Sequence, residues 1–149
     1  MSSITADDLI KARQRIAGLV RQTPLEHSPS LSRLAGVPVW LKLESQQATG
    51  SFKLRGASNA VAQLDDAQKR LGVVTASTGN HGRALAFAAA QQGVKAIVCL
   101  SELVPQNKVR AIRELGAEVV ISGRSQDDAQ LEALRIARDQ GAAFIPPFD

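Results

Sequence analysis

The chain has 149 residues, of which 44% are hydrophobic and 21% charged, and its formal net charge is +4. This balance is typical of one globular domain with a real core, and the lack of a dense basic block argues against a nucleic-acid partner. No stretch is long and apolar enough to span a bilayer, and the single cysteine, Cys99, fits a buried structural thiol in a reducing cytoplasm.

The elements predicted in the first third of the chain are short and mixed. A capping box formed by Thr5 and Asp8 predicts a helix from about residue 6 to residue 20. A short helix at 30–35, stopped by glycine, and a strand at 37–43 are expected next. Ser51 is expected to cap a further helix over 53–64.

From Gly72 onward, predicted strands and helices alternate with short connections. The strands are expected at 73–76, 95–100, 117–121 and 142–145, and the helices between them at 81–92, 107–115 and 126–140. The strands are rich in Val and Ile and show little polar alternation. This pattern predicts an α/β fold in which helices cover both faces of an open parallel sheet, a three-layer αβα arrangement.

Lys53 lies between a glycine turn and an apolar helix start, in the run 50–57 (GSFKLRGA). The positive end of a helix dipole and an apolar neighbour, Phe52, would disfavour an ammonium ion and so favour a nucleophilic amine. Arg55 would add positive charge nearby. A solvated lysine in the first turn of an amphipathic helix is the alternative interpretation.

The run 77–82 (STGNHG) follows a predicted strand and opens a helix. Open α/β sheets bind ligands at this position, and the backbone N–H groups of a helix start favour anions. Ser77 and Thr78 supply hydroxyls, Asn80 an amide and His81 an imidazole. This set suits a small carboxylate better than a metal ion.

Four glycines in the two runs, Gly50, Gly56, Gly79 and Gly82, are expected to let the backbone approach a flat ligand. The glycine spacing of nucleotide-binding loops is absent, so a phosphate loop is a poor interpretation. A well-capped helix after a strand remains the alternative for the whole turn.

Together the two runs resemble the fold-type II pyridoxal phosphate enzymes, and within them the serine/threonine dehydratase family. The resemblance covers the whole chain and includes 23–25 (TPL), 41–44 (LKLE), 116–120 (GAEVV) and 144–149 (FIPPFD). It implies a pyridoxal 5'-phosphate cofactor and a lyase reaction. A small hydroxy-amino acid would lose water by β-elimination and yield a 2-oxo acid and ammonia. It also implies a homo-oligomer when the protein is full length.

The resemblance implies roles for individual residues as well. Lys53 would be the Schiff-base lysine and the base at the substrate α-carbon, with Phe52 near the cofactor ring and Asn80 on the phenolic oxygen. The residues that would line the substrate carboxylate site are Ser77, Thr78, Gly79, Asn80 and His81.

The sequence contains no glycine-rich phosphate cup and no later serine for the pyridine nitrogen. We therefore expect the amino-terminal part of a longer protein. Residues 1–52 are expected to belong to its large domain, and residues 53–149 to form its small α/β domain. On this basis the isolated fragment should bind the cofactor poorly and be inactive.

Two positions depart from the family pattern. Threonine dehydratases commonly have alanine where Thr78 stands and serine racemases have a catalytic serine, which makes Thr78 a candidate catalytic group. Arg83 replaces the usual glutamine and would favour a substrate with a second acidic or polar end, unless it is a solvated helix arginine. The two departures resemble the dehydratase-like branch linked to hydroxyectoine breakdown.

Alternatives from two classes stay open. A serine racemase or a β-replacement enzyme such as cysteine synthase would have the same fold, although replacement enzymes tend to have a threonine-like residue where His81 stands. A non-catalytic amino-acid-binding α/β domain would use 77–82 only as an anion site.

Overall fold

The structure, a computed structural model, describes residues 4–77 and 79–148, so the expectations for Thr78 lie outside the described residues. Its helices are α1 (Ala6–Arg15), α2 (Pro29–Ala35), α3 (Lys53–Ala62), α4 (Asp66–Leu71), α5 (Asn80–Gln91), α6 (Gln106–Glu114) and α7 (Gln126–Gln140). Its strands are β1 (Leu25–His27), β2 (Trp40–Lys42), β3 (Val73–Ala76), β4 (Ala96–Leu100), β5 (Glu118–Ile121) and β6 (Ala143–Phe144).

Four of the strands form one parallel sheet with the order β5-β4-β3-β6. The central strands β3 and β4 are buried along their whole length, which explains their continuous apolar sequence. The chain runs outward from β3 to β4 and β5, and then returns to place β6 on the other side of β3. The predicted parallel α/β sheet is confirmed.

Helices cover both faces of this sheet, as predicted. Side chains on one face, including Val98 and Leu100, share a core cluster with α5 and α6, and α3 packs on the outside of α5. On the other face, Ile97 and Cys99 pack against α7. The small residue at the start of α5, Gly82, allows the close approach on the first face, because a Cβ there would lie 3.0 Å from Val98 Cγ1.

The first fifty residues lie outside this sheet. Strands β1 and β2 form a separate antiparallel pair, and β2 is shorter than the predicted strand 37–43. The capping box of α1 is confirmed, but the predicted helix end at residue 20 is wrong: α1 ends at Arg15, and Gly18 follows with a φ of +81°. Helix α4 was missed, although Asp65 and Gln68 form a capping box at its start.

The predicted cap of α3 is also wrong. The residue before the helix is Phe52, with φ −62° and ψ −19°, and it makes no side-chain cap hydrogen bond. A capping side chain needs an extended backbone to reach the free N–H groups, and here the chain already turns helically before Lys53. The Ser51 hydroxyl is instead buried, without a hydrogen-bond partner among the described residues.

The apolar side of α1 is not covered by the rest of the described chain. Leu9 is 64% exposed and Ile10 54% exposed, and only Ile16, just after the helix, is buried. This side opens on a cavity of about 710 Å³ that also touches α3 at Gly56. None of the described helices is long and apolar enough to cross a membrane.

Candidate active site

A cavity of about 320 Å³ opens at the carboxyl end of β3. The residues that line it are Lys53, Ala76, Ser77, Gly79, Asn80, His81, Gln126, Pro147 and Phe148. They come from α3, the end of β3, the start of α5, the start of α7 and the segment after β6. Since the strand order changes direction between β3 and β6, this is the place at which open α/β sheets bind ligands.

The structure brings the two sequence runs together in this cavity. The Lys53 amine donates a hydrogen bond to the carbonyl oxygen of Pro147 at 2.6 Å. It also lies 4.7 Å from the centre of the Phe148 ring and 5.7 Å from that of Phe52. A carbonyl oxygen and aromatic faces are partners for a protonated amine. The neutral amine that a nucleophile requires stays a prediction.

Phe52 itself is 62% exposed and is not among the residues that line the cavity. Its ring flanks the lysine on the outside of the site. The predicted position of Phe52 beside a cofactor ring therefore stays a prediction.

Arg55 does not add free positive charge to the site, contrary to the expectation. Its Nε and Nη2 donate to the Glu44 carboxylate at 2.9 and 2.8 Å, and Thr23 donates to the same carboxylate at 2.5 Å. These hydrogen bonds, with that from Arg55 the strongest, lower the pKa of Glu44 to about 2. The ion pair neutralises Arg55 and fixes the amino-terminal segment to α3.

The Ser77 hydroxyl organises the start of α5. Its oxygen accepts hydrogen bonds from the N–H groups of Gly79 at 3.3 Å and Gly82 at 3.0 Å. A hydroxyl that accepts in this way keeps its own proton, which it can donate to a carboxylate. Ser77 thus satisfies an N–H group in the first turn of α5, although the residue directly before the helix is Gly79, and this contact is compatible with ligand binding.

Two glycines of this turn have different roles. A Cβ at Gly79 would meet no atom within 4 Å, so the backbone is open to a ligand there. A Cβ at Gly82 would meet Val98, Ile112 and the Ser77 carbonyl oxygen. The expectation that Gly82 allows ligand approach is therefore wrong, since it allows a helix to pack on a strand. Gly56 lines the other cavity, next to α1.

His81 and Asn80 face different surroundings. His81 is buried, and its Nε2 lies 3.2 Å from the carbonyl oxygen of Ile145. Because a carbonyl can only accept, Nε2 carries the proton in this contact. The ring therefore ties α5 to the segment after β6. Asn80 is exposed at the cavity and has its amide available.

Arg83 lies one turn after Asn80 on α5 and is not among the residues that line the cavity. Its Nε is buried and has no hydrogen-bond partner in the part of the chain that the structure describes. The expectation that it selects a substrate with a second acidic end therefore stays a prediction.

Among the residues that line the cavity, sequence reasoning missed Gln126, Pro147 and Phe148. The available signal was position, because each follows a strand at its carboxyl end. Cys99 was correctly predicted to be a buried thiol, and burial raises its pKa to about 11. Among residues 4–77 and 79–148, no group of side chains could hold a metal ion.

The cavity fits a small planar cofactor with an aldehyde. It offers an amine at Lys53, an uncovered backbone at Gly79 and amide groups at Asn80 and Gln126. Its volume of about 320 Å³ lies at the small end of the range for ligand sites. Lys53 would hold such a cofactor covalently, and Asn80 would hydrogen-bond to its ring substituent.

Comparisons with known proteins agree with this chemistry. Residues 16–149 match the family described as "Pyridoxal-phosphate dependent enzyme". The "Putative threonine dehydratase" of Sinorhizobium fredii is 53% identical over 149 residues, 100% of this chain and 45% of that protein. The "L-threonine ammonia-lyase" of Thermotoga maritima is 40% identical over 146 residues, 98% of this chain and 36% of that protein.

A similar solved structure is that of serine racemase from Dictyostelium discoideum, with a TM-score of 0.92 and 35% sequence identity. The match covers 99% of this chain and 48% of that one. The chain thus spans less than half the length of these relatives.

Proposed function

Since this chain belongs to the family of pyridoxal-phosphate dependent enzymes, we propose that it is the amino-terminal part of a lyase that dehydrates and deaminates a small hydroxy-amino acid. Threonine or serine is the substrate class, and a 2-oxo acid and ammonia are the products. The single observation that supports this most is the convergence of Lys53 and the 77–82 turn on one cavity. The names of the relatives from S. fredii and T. maritima point to the same reaction.

When bound, pyridoxal phosphate supplies an electron sink for the substrate α-carbon. The chain's own residues bind, orient and move protons. Lys53, once free of Pro147, takes the α-proton of the substrate. The Ser77 hydroxyl, which keeps its own proton while it accepts from Gly79 and Gly82, donates to the substrate carboxylate at the positive end of α5. Phe148 presents an aromatic face to the amine at 4.7 Å.

We also propose a domain assignment, an oligomeric state, a location and a narrower family branch. Residues 1–52 belong to the large domain, a proposal that the uncovered apolar side of α1 supports. The full-length protein is a cytoplasmic homo-oligomer. The narrower placement in the branch linked to hydroxyectoine breakdown rests on Thr78 and Arg83 alone, and so does a catalytic role for Thr78.

Absorption spectroscopy of the full-length protein tests the proposal. The protein should be yellow, with a band that borohydride bleaches, and should release a 2-oxo acid from threonine or serine. Lys53→Ala should abolish both the band and the activity, whereas Lys11→Ala, at an exposed lysine of α1, should leave both unchanged.

A colourless protein that binds amino acids without turnover would refute the lyase and favour a binding domain. The same assay mixture, analysed for D-serine, tests the second candidate. That candidate is a serine racemase, which the resemblance to the Dictyostelium discoideum structure favours.

A further inference from the structure

Gln126 is a polar residue at the end of an otherwise apolar helical stripe. In α7 the buried residues are Ala129, Ala133 and Ile136, and they pack beneath the sheet. Gln126 precedes Ala129 by three residues, so it continues the same side of the helix. The sheet ends at the level of Gln126, and the Gln126 side chain lines the cavity beside Ala76.

The backbone that carries Gln126 is held rigidly. Ser125 and Asp128 form a capping box at the start of α7, and the Asp128 carboxylate also accepts the Arg124 N–H at 2.9 Å. The preceding turn packs so closely that a Cβ at Gly123 would lie 2.2 Å from the Asp128 side chain. Gln126 is thus presented to the cavity by a fixed element and not by a loose loop.

The oxygen of the Gln126 side-chain amide lacks a hydrogen-bond donor among the described residues. This oxygen, Oε1, is buried and has no hydrogen bond within the described part of the chain. An acceptor kept away from water in this way is costly unless a donor reaches it. An apolar side chain would fill the same place without that cost. Since Gln126 lines the cavity, a ligand bound there can supply the missing donor.

The geometry of the cavity identifies that donor. Ser77 and the start of α5 lie on one side of the sheet edge and suit the substrate carboxylate, while Lys53 serves the substrate nitrogen and α-carbon. Gln126 comes from the helix on the opposite face. A carboxylate has no proton for Oε1. The remaining donor on a small hydroxy-amino acid is its side-chain hydroxyl.

We propose that Gln126 is a specificity-determining residue whose Oε1 accepts a hydrogen bond from the β-hydroxyl of the substrate. This inference rests on the proposed function. It gives the cavity a reason to prefer hydroxy-amino acids over amino acids of the same size without a hydroxyl, because those would leave the buried acceptor unpaired.

Two substrates that differ in the hydroxyl test the proposal. The full-length holoenzyme is assayed with serine and with β-chloroalanine, which eliminates chloride and has no β-hydroxyl. Gln126→Met, close in size to glutamine, should lower kcat/KM for serine about tenfold or more and leave that for β-chloroalanine within about threefold. Gln130→Met, at an exposed position of the same helix, should change neither.

Each other result has a defined meaning. An equal loss for both substrates, with the cofactor band intact, would overturn the proposal and make Gln126 a structural residue. Unchanged kinetics with serine would overturn it as well. If wild-type protein has neither the band nor turnover, the proposed function fails first. Gln126→Ala gives the same comparison if the methionine variant does not accumulate.

Discussion

Alanine substitution at two glycines of one turn should separate packing from ligand binding. At Gly82 a new Cβ would lie 3.0 Å from Val98 Cγ1 and 3.4 Å from Ile112 Cδ1. Val98 is fully buried on a central strand, and its branched side chain has little freedom to move. Overpacking of this kind costs about 1–3 kcal/mol, and the gain from alanine in a helix offsets about 1 kcal/mol. We therefore expect Gly82→Ala to lose about 1 kcal/mol of unfolding free energy.

At Gly79 no protein atom lies within 4 Å of the new Cβ, so the core is not disturbed. Gly79→Ala should change stability by less than about 1 kcal/mol, since it lies outside the core. It should instead weaken cofactor or substrate binding, because the methyl group projects into the space above the turn.

Urea unfolding and titration with pyridoxal phosphate measure the two effects in the full-length protein. At the m-value of a small protein, about 1–3 kcal/mol/M, the expected loss at Gly82 moves the unfolding midpoint by about 0.3–1 M, and by less in a longer protein with a larger m-value. If Gly82→Ala is as stable as the wild type, the close contact with Val98 does not limit the packing of α5. If Gly79→Ala binds the cofactor normally, the open backbone is not part of the site.

Two further predictions concern charge and burial. The folded-state pKa of Glu44, about 2, lies below the ordinary glutamate value of 4.5, so its ion pair contributes fully above about pH 4.5 and is lost as the pH falls through 2. After allowance for solvent screening, Glu44→Gln should lower the unfolding free energy by about 1–2 kcal/mol at pH 7 and by less at pH 3. The control Glu26→Gln, at an exposed position, should lower it little. An equal loss at both pH values for Glu44→Gln would contradict the role of the ion pair. Burial raises the pKa of the Cys99 thiol to about 11, so little reactive thiolate is present at pH 8. A thiol reagent at this pH should therefore label the native protein far more slowly than the urea-unfolded protein. Rapid labelling of the native protein would show that the thiol is accessible.

The second half of the fold could be predicted because its local signals agree with its tertiary structure. Strand β3 and helix α7 have the predicted bounds, since a buried parallel strand reads as an apolar run and a capping box marks the helix start. The first fifty residues were harder, because α1 and β2 bury little surface in the described chain. Where packing does not fix an element, a hydrophobic pattern overestimates its length.

The site could be predicted in part for the same reason. The position of the 77–82 turn follows from the order of the strands. Lys53 could be identified because it lies between two glycines in the run 50–57. Gln126 and Pro147 were missed, although each follows the carboxyl end of a strand, because nothing local links them to the turn. They reach the cavity only because α7 crosses to the opposite face and β6 returns beside β3. The ion pair of Arg55 could not be predicted, because its partner Glu44 precedes helix α3 in the sequence and is brought to it only by the fold.

The segment after β6 depends on the same side chains that form the site. Strand β6 pairs with β3 through only two residues, so the ladder fixes the following chain weakly. Beyond the backbone bond from Ile145 to Val74, the segment is held by His81 through the Ile145 carbonyl and by Lys53 through the Pro147 carbonyl. The Lys53 amine that would bond to a ligand in the cavity is the same group that donates to the Pro147 carbonyl. Covalent use of Lys53 would require that it exchange partners, and among the described residues the segment would then keep its hydrogen bonds at Ile145. Lys53 thus lines the cavity and also holds a segment that forms part of the cavity wall, so we expect a ligand bound to Lys53 to change the position of that segment.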